Sequence, residues 1–316
     1  MIKSTLLAAT AITAALSGAT MAETIGVSMS RFDDNFLTVL RNGMIETAKN
    51  SDDIDLQVED ARDDVARQLD QVKNFIASGV SAIIVNPVDT NATQAISDEA
   101  AAAGVPLVYV NRQPVNVDSL PDNQAFVASD ERESGTLETI AVCDQLAAAG
   151  KTEANIYIMM GQLSNQAAVQ RTQDIHDVID GGKCAVKINI LDKQTAEWQR
   201  DMAQDLMTNW LSTGQPFDAV IANNDEMAIG AIQAMKASGI AMDAVVVGGV
   251  DATQDALLSM AMGDLDVTVF QNAAGQGAGA LDAALKLARG EDVAQKVYVP
   301  FELVTPANMR DYAKSN

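Results

Sequence analysis

Apolar residues fall into short unbroken runs separated by longer stretches in which they recur every third or fourth position. Ile25-Gly26-Val27-Ser28-Met29 predicts a buried strand, and Phe36 to Asn50 the helix after it. Ile54, Leu56 and Val58 alternate as one face of a strand would. Val65, Leu69, Val72 and Ile76 then recur at helical spacing. Ala82 to Val85 predicts the next strand, Thr93 to Ala103 a helix, and Leu107 to Val110 another strand. After a loop containing Pro114 and Pro121, strand-like runs return at Ile156–Met160, Val186–Leu191, Ala219–Ala222, Val245–Val250 and Val267–Phe270, with amphipathic helices between them.

Strands that read as continuous Val/Ile runs, each followed by a helix, imply parallel sheets covered on both faces. The class is α/β. A single eight-stranded barrel would satisfy the alternation. The proline-containing loop and the second series of strands fit two doubly wound domains better. No solenoid-type repeat and no low-complexity linker interrupts the pattern.

The N-terminus departs from this rhythm. Met1-Ile2-Lys3 gives a positive start, Leu6 to Leu16 an apolar run, and Ser17 to Ala22 a small-residue cleavage site. That is the layout of a secretory signal cut near Ala22, too short to span a bilayer. No cysteine follows the cleavage region, so no lipid anchor is expected. The expected location is the periplasm.

Charge narrows the partners. With 21 basic and 43 acidic residues the net charge is −22, and loss of Lys3 with the leader makes the chain more acidic still. Such a surface repels nucleic acid and anionic lipid. At 48% apolar residues the chain can build real cores. Its two cysteines, Cys143 and Cys184, could pair or could be two inert buried thiols. With one histidine beside them, no zinc-type cluster can be assembled.

In open α/β sheets, ligands bind beyond the carboxyl ends of the strands. Those positions hold Ser30 and Phe32-Asp33-Asp34-Asn35-Phe36, then Asn86-Pro87, then Asn111-Arg112. The second half supplies Asn223-Asn224-Asp225-Glu226, Asp251 and Gln271. Asn, Asp and Ser also cap helices and shape turns, and Asp225 and Thr253 read as caps only. The set as a whole suits a polyol, whose hydroxyls both donate and accept. Phe36 and Trp198 are candidate plates for the apolar face of a sugar ring; Trp198 follows Thr195-Ala196-Glu197 at the expected start of a helix, and a tryptophan so placed also reads as ordinary core. Arg171, from spacing alone, reads as a solvated surface arginine.

Enzyme motifs are weak. Gly275-Gln276-Gly277-Ala278-Gly279 superficially resembles a dinucleotide loop, but it lies within a helical stretch, where close helix packing explains it. His176 is the only histidine, so no Ser/His or Cys/His pair is supported. Asp34 and Asp251 could be imagined as a glycosidase pair. Their Asn and Arg neighbours are expected to hold them ionised, whereas a general acid needs a raised pKa.

Taken together, the chain resembles the periplasmic sugar-binding proteins of the ribose and glucose/galactose type. The likeness covers essentially everything after the leader. It is carried by Ile25-Gly26-Val27 leading to Phe32–Phe36, by Asn86-Pro87-Val88-Asp89, and by Ala222-Asn223-Asn224-Asp225-Glu226-Met227-Ala228. Gly248-Gly249-Val250-Asp251-Ala252 and Thr268-Val269-Phe270-Gln271 complete it. The resemblance implies two lobes joined by a three-segment hinge, one holding residues 24–129 and 272–300, the other 130–271 and 301–316. It places Ser30, Asp34, Phe36, Asn86, Asn111 and Arg112 on one side of the cleft. Arg171, Trp198, Asn224 and Asp251 would face them, with Gln271 at a hinge crossing and the two aromatics sandwiching the ring.

Departures from the family pattern narrow the ligand. Asn111 stands where the ribose type has Asp, Asp34 where it has Asn, and Trp198 where it has Phe. These resemble the hexopyranose receptors, yet Asn165 and Ala167 replace the His and Asp those receptors carry, and their calcium loop is missing. The pattern is most similar to the inositol and rhizopine binders, whose ligands are cyclitols, one carrying an amino group. The implied role is the binding component of an ABC importer, monomeric, without cofactor or metal, delivering a cyclitol, or next a hexopyranose, to a membrane permease. A sugar co-receptor for a chemoreceptor or sensor kinase, and a ribose-like pentose binder, are the alternatives.

Overall fold

The computed structural model describes residues 22–51 and 53–316; the expected leader, apart from Ala22, lies outside them. The chain opens β1 (Glu23–Met29), α1 (Asn35–Lys49), β2 (Ile54–Asp60), α2 (Val65–Ser78), β3 (Ala82–Val85), α3 (Thr93–Ala103), β4 (Leu107–Val110) and β5 (Gln124–Ala128). It continues α4 (Glu131–Ala148), β6 (Glu153–Met160), α5 (Gln166–Asp180), β7 (Lys187–Thr195), α6 (Arg200–Ser212), β8 (Ala219–Ala222), α7 (Asp225–Ala237) and β9 (Val246–Gly248). It closes with α8 (Gln254–Ala261), β10 (Thr268–Gln271), α9 (Ala273–Ala288), β11 (Lys296–Tyr298) and β12 (Phe301–Val304).

Among the described residues two parallel sheets and a two-stranded antiparallel one result, in two lobes. The first has the strand order β11-β5-β4-β3-β1-β2, the second β7-β6-β8-β9. Pairing within both is parallel. Both faces are covered, as continuous apolar strands require. Ala82 and Ile84 of β3 join the cluster under α1 and α9, while Ile83 and Val85 join the cluster under α2 and α3. In the second sheet Tyr157 and Met159 face α6 and α7, and Ile156 and Ile158 face α4 and α5. Close packing of α1 on α9 needs Gly277, because a Cβ there would overlap the Leu40 carbonyl oxygen. This is the helix-packing role expected of that glycine run.

Three passages join the sheets: β5 to α4, β10 to α9, and β11 to β12. Between them β10 and β12 pair antiparallel, and bridges at Gly248–Val267 and Asp251–Phe270 tie β10 to the end of the second sheet. Cys143 of α4 and Cys184, ahead of β7, form a disulfide with Cα atoms 5.4 Å apart.

Three strands escape the sequence pattern. Gln124-Ala125-Phe126-Val127-Ala128 contains two strong strand formers and follows directly on the proline loop, and β11 and β12 are shorter still. Strand β7 runs on to Thr195, past the expected end at Leu191. Consequently Trp198 does not begin a helix. Glu197 and Trp198 take left-handed backbone, φ 56° and 67°, and α6 starts at Arg200. No helix among the described residues is long and apolar enough to cross a membrane.

Candidate functional site

The carboxyl ends of both sheets converge on a cleft, where open α/β sheets place their ligands. Asp34, Phe36, Asn111 and Arg112 line it from the first lobe. Arg171, Trp198, Asn224 and Asp251 line it from the second, with Gln271 at a passage between the sheets. The same fold feature that places these residues also satisfies helix ends. Asp34 accepts a hydrogen bond from the Leu37 N–H, and Asn224 one from Met227, so each caps a helix while facing the cavity. Thr253 caps α8 as expected, accepting from the Ala256 N–H, whereas Asp225, read as a cap, is a buried brace behind the cap Asn224. The Asp225 carboxylate accepts from Thr268 Oγ1 at 2.7 Å and the Thr253 N–H at 2.9 Å.

Ser30 and Asn86 do not reach the wall. Ser30 Oγ donates to Asn86 Oδ1 at 2.7 Å, and Asn86 Nδ2 to the Val110 carbonyl at 3.2 Å. Their place at the strand ends was legible, but their side chains turn to each other and tie β1, β3 and β4 together behind the cavity.

Arg171 is buried, against its reading as a surface residue. Its guanidinium forks onto Glu131, Nε to Oε2 at 2.7 Å and Nη2 to Oε1 at 3.0 Å. It also donates to the Asn223 carbonyl at 2.7 Å and to Gln271 Oε1 at 3.2 Å. Burial works against its charge, but Glu131, together with Asp251 and Glu138, raises its pKa above the ordinary value. Four of its five N–H donors are thus committed to protein partners, joining α4, α5, the end of β8 and β10 at the cleft floor. Arg112 is buried too, donating to the Pro87 and Val88 carbonyls at 3.0 and 3.4 Å. Burial lowers its pKa to about 10 against the opposing charge of Asp34, so it stays cationic near neutrality.

The carboxylates correct one expectation. Burial pushes Asp34 up, with the Leu37 N–H and Arg112 opposing. Burial pushes Asp251 well up, with Arg171 opposing. Enclosure outweighs the Asn and Arg neighbours that were expected to hold both ionised. Among the described residues the Asp251 carboxyl has no hydrogen-bond partner; only its backbone is held, its carbonyl accepting from Asn316 Nδ2 at 2.6 Å. Trp198 Nε1 and Gln271 Nε2 are buried donors without a partner among the same residues.

Backbone strain gathers here. Asn111, Trp198 and Asp251 have φ of 65°, 67° and 126°, and Glu197 and Ala252 beside them are also positive. Non-glycine residues in this region cost about 1–3 kcal/mol each and cluster at ligand sites. Sequence reasoning missed one polar residue of the wall, Glu131, and named another, Asn165, only as a departure from the hexopyranose pattern. Glu131 follows the unrecognised strand β5, the signal that would have found it. Asn165 caps α5 through its side chain.

The rim of the cleft is clasped on both sides. Thr90, ahead of α3, donates through its N–H and Oγ1 to the Ser164 carbonyl, both at 3.0 Å, and accepts from the Gln166 N–H at 3.1 Å. At the opposite rim Asn35 Nδ2 donates to Glu226 Oε1 at 2.8 Å.

Comparison with known proteins agrees with this architecture. Residues 25–292 match the family model described as a periplasmic binding protein domain. A protein of Rhizobium meliloti provisionally named as rhizopine-binding is 61% identical, covering 95% of this chain and 96% of its own. An ABC transporter solute-binding protein from Bacillus halodurans, solved with bound myo-inositol, superposes with a TM-score of 0.86 at 41% identity, covering 95% of this chain and all of that one. The myo-inositol-binding protein of Caulobacter, also with myo-inositol, gives 0.80 at 26% identity, covering 92% and 95%. The chain belongs to the periplasmic binding protein family, a family of solute-binding proteins and not of catalysts.

Proposed function

We propose that this member of the periplasmic binding protein family is the solute-binding component of an ABC importer whose cargo is a cyclitol of the inositol or amino-inositol kind. The family implies work in the periplasm and a membrane permease as partner; export with removal of residues 1–22, and action as a monomer, are part of the proposal. The names of the relatives support the ligand class. The observation that carries it is the unspent polar complement of the cavity. Asp251 offers an acceptor, and Trp198 Nε1 and Gln271 Nε2 offer donors, none with a protein partner among the described residues. An inositol presents a hydroxyl on every ring carbon, each able to donate and accept, and an amino-inositol on all but the aminated one. Phe36 and Trp198 would cover its C–H faces. An ammonium substituent would be received by Asp251, whose ionised form it would favour.

Direct contact is assigned to Asp34, Phe36, Asn111, Arg112, Trp198, Asn224, Asp251 and Gln271. Ser30, Asn86 and Arg171 act by fixing the wall. The test is a thermal-shift and calorimetric panel of myo-inositol, aminocyclitols, hexoses and pentoses. A ligand at 100 times its Kd adds about 2.7 kcal/mol of stability. Cyclitols are expected to shift the melting midpoint most, and a larger shift with hexoses or pentoses would replace the reading. Trp198→Ala and Asp251→Asn should each lower affinity by about tenfold or more, the 1.4 kcal/mol of a modest hot spot, while the protein stays folded.

A further inference from the structure

Gly161, the residue after β6, has no left-handed backbone, so a positive φ is not the reason for a glycine there. Space is what it supplies. A Cβ there would fall inside van der Waals contact of Trp198 Cε2, Cζ2 and Cη2, the six-membered half of the indole. The ring therefore rests on the bare backbone of Gly161. That backbone is itself held: the Gly161 N–H donates to Asn223 Oδ1 at 3.1 Å, and its carbonyl accepts from Thr195 Oγ1 at 2.8 Å.

Trp198 cannot slide off this seat by moving its main chain. The Ala196 N–H is bonded to the Met160 carbonyl at 2.9 Å, the Gln199 N–H to the Ala196 carbonyl at 2.8 Å, and Asn224 Nδ2 to the Trp198 carbonyl at 3.4 Å. Glu197 and Trp198 are both left-handed. On another side the ring meets the Arg171 guanidinium, whose carbon lies 5.6 Å from the ring centroid. An indole lifted from Gly161 is left with the cavity, which it already lines.

We propose that Gly161 is a positioning residue for ligand binding: it sets how far the Trp198 ring projects into the cleft, and so the thickness of the slot opposite Phe36. A flat polyol ring fits only while that seat is bare. The inference rests on the cyclitol reading for its ligand, and on geometry alone for the seat.

The test joins two readouts. In a Trp210→Phe background the only remaining tryptophan is Trp198. There, Gly161→Ala should shift its emission and raise its quenching by acrylamide without any ligand. Unchanged emission and quenching overturn the seat. With myo-inositol as probe, Gly161→Ala should weaken binding by about tenfold or more, as overpacking typically does. In a Trp198→Ala background the same change should alter affinity by less than about twofold, because the two positions act as one. Equal losses in both backgrounds overturn the proposal. Failure of myo-inositol to bind the unsubstituted protein counts against the cyclitol reading and leaves the fluorescence test standing. Should Gly161→Ala fold poorly, Trp198→Phe in the same chain removes the outer ring atoms and should restore folding; no restoration overturns the proposal as well.

Discussion

The two walls of the cleft share one plan, strand ends meeting helix N-termini, yet different chemistry holds them. Behind the first wall lie neutral amides and hydroxyls. Ser28 Oγ donates to Gln71 Oε1 at 2.7 Å, Gln68 Nε2 to the Asn86 carbonyl at 3.0 Å, and Ser30 Oγ to Asn86 at 2.7 Å. Behind the second lie ionisable groups around one ion pair, Arg171 with Glu131. Glu131, Glu138, Asp225 and Asp251 are all buried in the neighbourhood of the Arg171 guanidinium. Similar geometry is thus reached by two routes. The neutral network has no charge of its own to desolvate, and Arg112 on the wall in front of it is received by the Pro87 and Val88 carbonyls. The ionic route is rigid but depends on every partner being present.

That contrast can be broken most directly at Arg171. Arg171→Met leaves Glu131 buried without its cation and should cost about 3–5 kcal/mol of unfolding free energy, read by denaturant titration without ligand. The matching change in the first lobe, Asn86→Ala, strips partners from Ser30 and the Val110 carbonyl. It should cost only about 1–3 kcal/mol. Equal costs would erase the distinction between the walls. Titration sharpens it at smaller amplitude. Burial raises Glu138 well above its ordinary value of 4.5; Arg171 opposes this and Asp225 adds to it. Burial likewise lifts Asp174 from 3.8 to about 6. For such acids the fold favours the protonated form. Their contribution to stability is complete below the unfolded pKa and drains away as pH rises through the folded one. The melting midpoint should therefore fall between pH 5 and pH 8. Glu138→Gln should flatten that slope and Asn86→Ala should leave it unchanged; a slope altered by Asn86→Ala would move the pH dependence out of the second lobe.

Legibility in the sequence divides along the same line. Asp34 and Phe36 share one short motif, and Asn86 and Asn111 sit at the ends of apolar runs. Their positions could be read because the fold puts strand ends together. The direction in which Ser30 and Asn86 point could not, since it is decided by neighbours on other strands. Arg171 and Glu131 are 40 residues apart, and neither carries a local mark of the ion pair between them. Glu131 was hidden for a second reason: β5 is too short and too poor in strand formers to announce the position at its end. The left-handed backbone of Trp198 is set by tertiary bonds to β6, so helical periodicity misplaced it.

The rim clasp has its own consequence for selectivity. Thr90 bonds to Ser164 and Gln166 across the cleft without touching the cavity, and Asn35 does the same with Glu226. Bonds of this kind contribute to shutting the two lobes by the same amount whatever lies between them. They multiply the association constant of every ligand by one common factor and leave the ratio between any two unaltered. Affinity and discrimination are thereby separable, the first adjustable from the rim and the second only from the walls.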